Sequence, residues 1–198
     1  HKGVTLCRAL TSTGFGTGPI TIATGKNGSA IDYGVWFGSM DVGGLVFDNP
    51  INVTEKTYVN FQSKNSDPMT VNGKITSTVD LQLRSGRNEF DVTAAGTIKF
   101  YGDINATGCD IYKIGDKFGA KFYLYGKVKA RNFISSTSDW GRGEVHFCNA
   151  DNELEIVAPG LSSTFYADAS DCFPASVRTT FYYPSTGYTQ GDGELVLN

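Results

Sequence analysis

The sequence has no Lys/Arg cluster of the kind that tracks a phosphate backbone, and its balance is mildly acidic, with net charge -3 and a pI of about 5.3. Nucleic-acid binding is set aside on that ground. No run approaches the roughly 18 consecutive apolar residues of a membrane helix. The start lacks a charged region followed by an apolar one, so no signal peptide is read there. The chain begins at His1 rather than Met, as expected of a mature product whose leader has been removed. Cysteine is scarce: Cys7, Cys109, Cys148 and Cys172 are widely spaced with no CxxC pair. That spacing argues against a zinc site and for two disulfides, with three connectivities open, in an extracellular or periplasmic compartment. A G-x-S-x-G elbow and a phosphate-binding glycine loop are both missing. No window carries a sustained i, i+3, i+4, i+7 apolar pattern, so no helix is predicted.

What is present has the character of an all-β protein. Of 198 residues, 40% are hydrophobic and 19% charged, enough apolar content for a packed core. Glycine numbers 24 and aromatics make up 13%, with Thr, Ser and Val in short runs bounded by Gly, Asn and Asp. Strands are predicted at 18–24, 32–38, 43–48, 56–63, 77–85, 96–104, 120–128, 143–148, 153–159, 176–184 and 193–198. The architecture expected is an antiparallel immunoglobulin-like β-sandwich. A parallel β-helix is the alternative, because strand-and-turn units start near Leu45, Met69, Thr97, Phe122 and Val145, at spacings of 24, 28, 25 and 23 residues. "NGKI", "YGDI" and "YGKV" recur loosely within them. Residues 1–198 read as one module with a candidate junction at 84–90, "RSGRNEF".

"GTIKFYGDINATGC" (96–109), following "DVTAA", resembles the opening strand of chaperone-usher pilus subunits. "LYGKV" with Phe133 after it, and "GEVHFC" (143–148), are similar to later strands of that family. "SVRTTFYYPSTGYTQGDGELVLN" (176–198), "DYGVWFGSMDVGGLV" (32–46) and 56–83 resemble others, so that 1–86 looks like the end of a pilin and 91–198 like its beginning. The resemblance implies a fimbrial structural or adhesive subunit, secreted through the periplasm to the cell surface. Its partners would be neighbouring subunits, a periplasmic chaperone and a host glycan receptor. It also implies a Cys109–Cys148 bridge, leaving Cys7 with Cys172, although "FYADASDCFPASV" (165–177) resembles the partner-cysteine strand as well. Phe90, Val92 and Ala94 alternate as a donor strand requires, so assembly by β-strand complementation is expected.

Chemistry offers fewer anchors. A chain-initial His1 and one internal histidine, His146, make the ligand set of the copper histidine brace of lytic polysaccharide monooxygenases, with Tyr182, Tyr183 or Tyr188 as axial candidates. A secreted copper-dependent polysaccharide monooxygenase is therefore the alternative function; under the pilin reading no cofactor or catalytic residue is assigned. The 20 acidic residues form no diagnostic glycosidase pair. Trp140, in the loop-like "SDWGRG", is the candidate sugar platform, ahead of Trp36. Asn27, Asn52 and Asn105 stand in N-x-[ST] sequons.

Overall fold

A computed structural model describes residues 7–23, 35–39, 41–64, 67–85, 96–114, 120–135, 143–149, 151–157, 163–167 and 195–197. The strands are β1 (Cys7–Ala9), β2 (Ile20–Ile22), β3 (Val35–Gly38), β4 (Val46–Phe47), β5 (Ile51–Val53), β6 (Tyr58–Gln62), β7 (Met69–Val71), β8 (Ile75–Ser77) and β9 (Leu81–Ser85). They continue as β10 (Thr97–Phe100), β11 (Ile104–Ile114), β12 (Ala120–Leu124), β13 (Val128–Ser135), β14 (Gly143–Phe147), β15 (Glu153–Val157), β16 (Ser163–Ala167) and β17 (Leu195–Leu197).

Pairing between these strands is parallel throughout, in a ten-stranded and a seven-stranded sheet. The chain is a β-solenoid, so the antiparallel immunoglobulin-like sandwich is overturned and the parallel β-helix alternative fits. Strands β1, β2 and β3 form coil 1, wholly in the ten-stranded sheet, and from β4 to β15 each coil lays one strand in the seven-stranded sheet, turns a corner, and lays one or two in the ten-stranded sheet. Coil 2 is β4, β5 and β6; coil 3 is β7, β8 and β9; coils 4, 5 and 6 are β10–β11, β12–β13 and β14–β15. Of the strand starts that suggest a β-helix, Leu45, Met69, Phe122 and Val145 fall in one column of the seven-stranded sheet with Ile98, and Thr97 is one residue off it. Pairing crosses 84–90 at all three strand positions, through β7–β10, β8–β11 and β9–β11.

Donor-strand complementation falls with the sandwich. Its physical basis is an open groove beside an unpaired strand; here β10, the proposed opening strand, already has β7 on one side and β12 on the other. The single strand read at 96–104 is in fact two, broken at Tyr101-Gly102-Asp103, where the chain passes from one sheet to the other. Phe90, Val92 and Ala94 lie outside the described residues.

Corners rather than hairpins follow from where glycine sits. A Cβ on Gly73, Gly102 or Gly126 would strike the backbone carbonyl of the preceding coil's corner, at Asn49, Gly73 and Gly102 respectively. "NGKI", "YGDI" and "YGKV" are thus successive corners stacked on one another. Their amides continue the ladder: Tyr101 N donates to Val71 O and Tyr125 N to Phe100 O, each at 2.8 Å. After the corner the direction of donation reverses, Ile51, Ile75 and Ile104 donating to the next coil's corner carbonyl at Lys74, Asp103 and Lys127. Coil 6 has a longer corner, and the side chain of buried Asn152 takes over that role, its Oδ1 accepting from Val128 N at 2.8 Å.

The core is built of columns. Ile51, Ile75, Ile104 and Val128 stack with 1% exposure or less, each burial worth roughly 1.5–3 kcal/mol. Four phenylalanines form a spine in which Phe37 stacks on Phe61, while Phe61 meets Phe100 and Phe100 meets Phe122 edge to face, centroids 5.0–5.6 Å apart. Residues 10–19 close one end. Phe15 packs edge-on against Phe37, Ser12 Oγ accepts from Val46 N on the edge strand β4, and Asn49 Nδ2 donates to Gly16 O and Gly18 O. That cover satisfies part of an edge that would otherwise invite pairing.

Candidate functional site

The outer surface of the seven-stranded sheet is set by the same register as its core. Since side chains alternate across a strand, Ile98, Phe100, Phe122, Leu124, Val145 and Phe147 point in and leave Lys99, Tyr101, Lys121, Tyr123, Tyr125, Glu144 and His146 on the other side. Parallel pairing then aligns them: Lys99 opposes Tyr123, Tyr123 opposes His146, and Lys121 opposes Glu144.

At a spacing of roughly 4.8 Å between strands, aligned rings meet face to face. Tyr101 and Tyr125 lie 4.6 Å apart at 8°, and Tyr123 and His146 lie 4.1 Å apart at 12°. Tyr123 and Tyr125, neighbours on one side of the chain, are 6.3 Å apart at 14°, joining the two stacks into a strip. Tyr101 ends the strip and is 50% exposed, the largest exposure among the described large hydrophobic residues. One coil before it, Asn72 Nδ2 donates to Asp48 Oδ1 at 2.8 Å, both side chains exposed.

Glu144 borders the strip. Lys121 Nζ lies 2.9 Å from its Oε1 and His146 Nε2 3.0 Å from its Oε2. Burial alone would push its carboxyl up, but hydrogen bonds from Lys121 and His146 hold it below the usual carboxylate range. With both oxygens engaged, Glu144 holds His146 in place against Tyr123.

The outer side of the ten-stranded sheet carries further ion pairs. Glu153 joins Lys127 at 2.6 Å and Lys129 at 2.7 Å, and its carboxyl is drawn down to about 2 by those two hydrogen bonds. Asp110 accepts from Arg131 Nε and Nη2 at 2.8 and 2.7 Å and from Asn132 Nδ2 at 2.8 Å. The Arg131 hydrogen bond holds Asp110 below its ordinary value despite burial. Nearby Tyr112 is pushed up, mainly by burial and then by Asp110 and Asp80. On the inner side of this sheet stands Lys113, fully buried in the column of Val59 and Leu83, its ammonium pushed down to about 7 by burial while Glu144 acts in the opposite direction.

Of the residues singled out from sequence, His146 belongs to the strip, whereas His1, Trp140 and Cys172 lie outside the described residues. No disulfide joins Cys109 to Cys148. Cys109 sits in the bulge of β11 in one sheet, and Cys148 follows β14 in the other. Cys7 lies in β1. Trp36 is buried in β3, with Arg8 5.1 Å over its ring. Among the described residues no group of three or more His, Cys, Asp or Glu is placed to hold a metal ion, and no helix is long and apolar enough to cross a membrane. The tyrosines escaped sequence reasoning, although the tyrosine before each glycine in "YGDI" and "YGKV" was the available signal.

No protein-family profile, curated protein or solved structure matches the chain.

Proposed function

We propose that this chain is an extracellular, non-catalytic adhesive module that binds a glycan through the outer strip of its seven-stranded sheet. The observation that carries the reading is the alignment of Tyr101, Tyr123, Tyr125 and His146 on the outward side of three consecutive coils, with Tyr101 half exposed, Tyr123 and Tyr125 partly exposed and His146 buried against Tyr123. Ring faces inside the stacks are spent on one another, so recognition falls to the tyrosine hydroxyl edges and to the face of Tyr101 turned toward coil 3. A sugar ring placed on that face stacks on an aromatic surface while its hydroxyls meet the Asp48–Asn72 pair and Lys99, the mixture of flat apolar contact and fixed polar groups that sugars require. Binding is preferred over catalysis because the carboxylate at the strip, Glu144, is committed to Lys121 and His146. The adhesive role implied by the pilin resemblance is kept; assembly by donated strands is not part of it.

The test is a glycan array followed by titration calorimetry on the best ligand. Wild-type chain should bind, and Tyr101→Ala should weaken binding about tenfold, or roughly 1.4 kcal/mol. Absence of binding across neutral, amino and acidic glycans, or affinity indifferent to Tyr101, would sink the reading.

A further inference from the structure

Two of the three sequon asparagines stand in one outer column of the ten-stranded sheet. Thr21, Asn52, Thr76, Asn105 and Lys129 oppose one another in successive coils, so Asn52 and Asn105 are separated by a single threonine rung. Both are partly exposed, and they present the same backbone to the same face. What differs is the hydroxyl two residues on. Thr107 donates its Oγ1 to Asn105 Oδ1 at 2.7 Å and its backbone N to the same oxygen at 3.2 Å, closing an Asx turn. Thr54 instead turns toward the preceding coil, its Oγ1 and N both reaching Ile22 O, at 3.3 and 3.0 Å.

The reason is the bulge. Between Ala106 and Asp110 the register of β11 against β13 shifts, and Gly108 takes φ 77°, a left-handed conformation that glycine adopts without strain. Ala106 remains fully buried while Thr107 and Gly108 are lifted into solvent. The turn depends on contacts only two residues apart, so it is available to the chain before the solenoid forms. Thr54 is held by ladder pairing with a neighbouring coil rather than by a two-residue turn, so nothing local presents its hydroxyl to the Asn52 amide before the coils stack.

We infer that Asn105 is an N-glycosylation acceptor and Asn52 is not. The donor is a lipid diphosphate-linked oligosaccharide presented by an oligosaccharyl transferase. Asn105 Nδ2 bonds to C1 of the first sugar, and the C1–O bond to phosphate breaks with its electron pair leaving on the lipid diphosphate. One amide proton passes to a base of the transferase. The Thr107 hydroxyl donates to Oδ1 and so draws amide electron density toward oxygen, which acidifies the N–H that must be lost. The glycan then projects from the ten-stranded sheet and leaves the tyrosine strip open. The inference rests on the extracellular placement proposed above but not on glycan binding, which is measured on unglycosylated protein.

The full chain is translated with microsomes and, separately, secreted from a eukaryotic host, with occupancy mapped by peptide mass spectrometry before and after enzymatic deglycosylation. Asn105 should be occupied and Asn52 unoccupied or at least tenfold less so. Thr107→Ala should abolish the modification at Asn105, and Thr107→Ser should restore it. Because microsomal transfer precedes folding, a misfolding variant still gives an answer. An unmodified Asn105, or equal occupancy at Asn52, overturns the inference.

Discussion

The two sheets share one backbone register but meet solvent differently. On the seven-stranded sheet, alignment of like residues stacks aromatic rings at 4.1 and 4.6 Å. On the ten-stranded sheet, alignment of unlike charges gives Lys127–Glu153–Lys129 and the Asp110–Arg131–Asn132 group. A parallel stack imposes neighbours on every outer side chain, and residue type then decides whether a column becomes a surface for a ligand or neutralises itself. Paired charges at a surface contribute little to stability and have few unspent contacts to offer. Stacked tyrosines retain their hydroxyl edges.

Breaking the corner between the sheets should disturb both at once and have the largest effect. Gly102→Ala puts a methyl group into the Gly73 carbonyl, and backbone on both sides leaves no flexible side chain to yield. A loss of about 3 kcal/mol in denaturant-unfolding free energy is expected; a change below about 0.5 kcal/mol would refute the corner stack. Next comes the inner side of the ten-stranded sheet. Lys113 has a folded value of about 7 against an unfolded value of about 10.4. Between those pH values the unfolded chain holds more protons, so stability should rise with pH across that window and level off on either side. Lys113→Met should flatten this slope, read from urea unfolding at a series of pH values.

The outer faces are separated by a pair of substitutions. Tyr125→Ala, which removes the ring that holds Tyr101 in position from the opposite face, should cost about tenfold in glycan affinity with little change in melting temperature. Arg131→Ala should do the reverse, leaving affinity intact and lowering the urea midpoint slightly. Asp110 is held below its ordinary value, so the stabilisation that Arg131 provides is present above the usual carboxylate range and disappears as pH falls through the lowered value. The difference between wild type and Arg131→Ala should therefore be full above pH of about 5 and shrink on acidification. If both substitutions affect affinity equally, the contrast between the two faces is wrong.

Much of the coil was legible. The unit starts at Met69 and Phe122 are correctly phased, in register with Ile98 between them. The pairing partners were not legible, because alternation is the same in a hairpin strand and a solenoid strand. "YGDI" read as the end of one strand because nothing local distinguishes a stacked corner from a turn. The candidate site is less visible still: the sequence offers His146 as a copper ligand and not the tyrosines beside it, since they become a strip only when coils 4, 5 and 6 are laid in register.

The amino-acid sequence by itself determined the all-β class and a unit of 23 to 28 residues between successive strand starts, since composition and local alternation carry both. Tertiary structure alone decided that the strands run parallel, that glycines stack into corners, that Lys113 is buried and that Tyr101 lies against Tyr125. Each of these is a contact between residues about one coil or more apart, and its energy exists only once the neighbouring coil is in place.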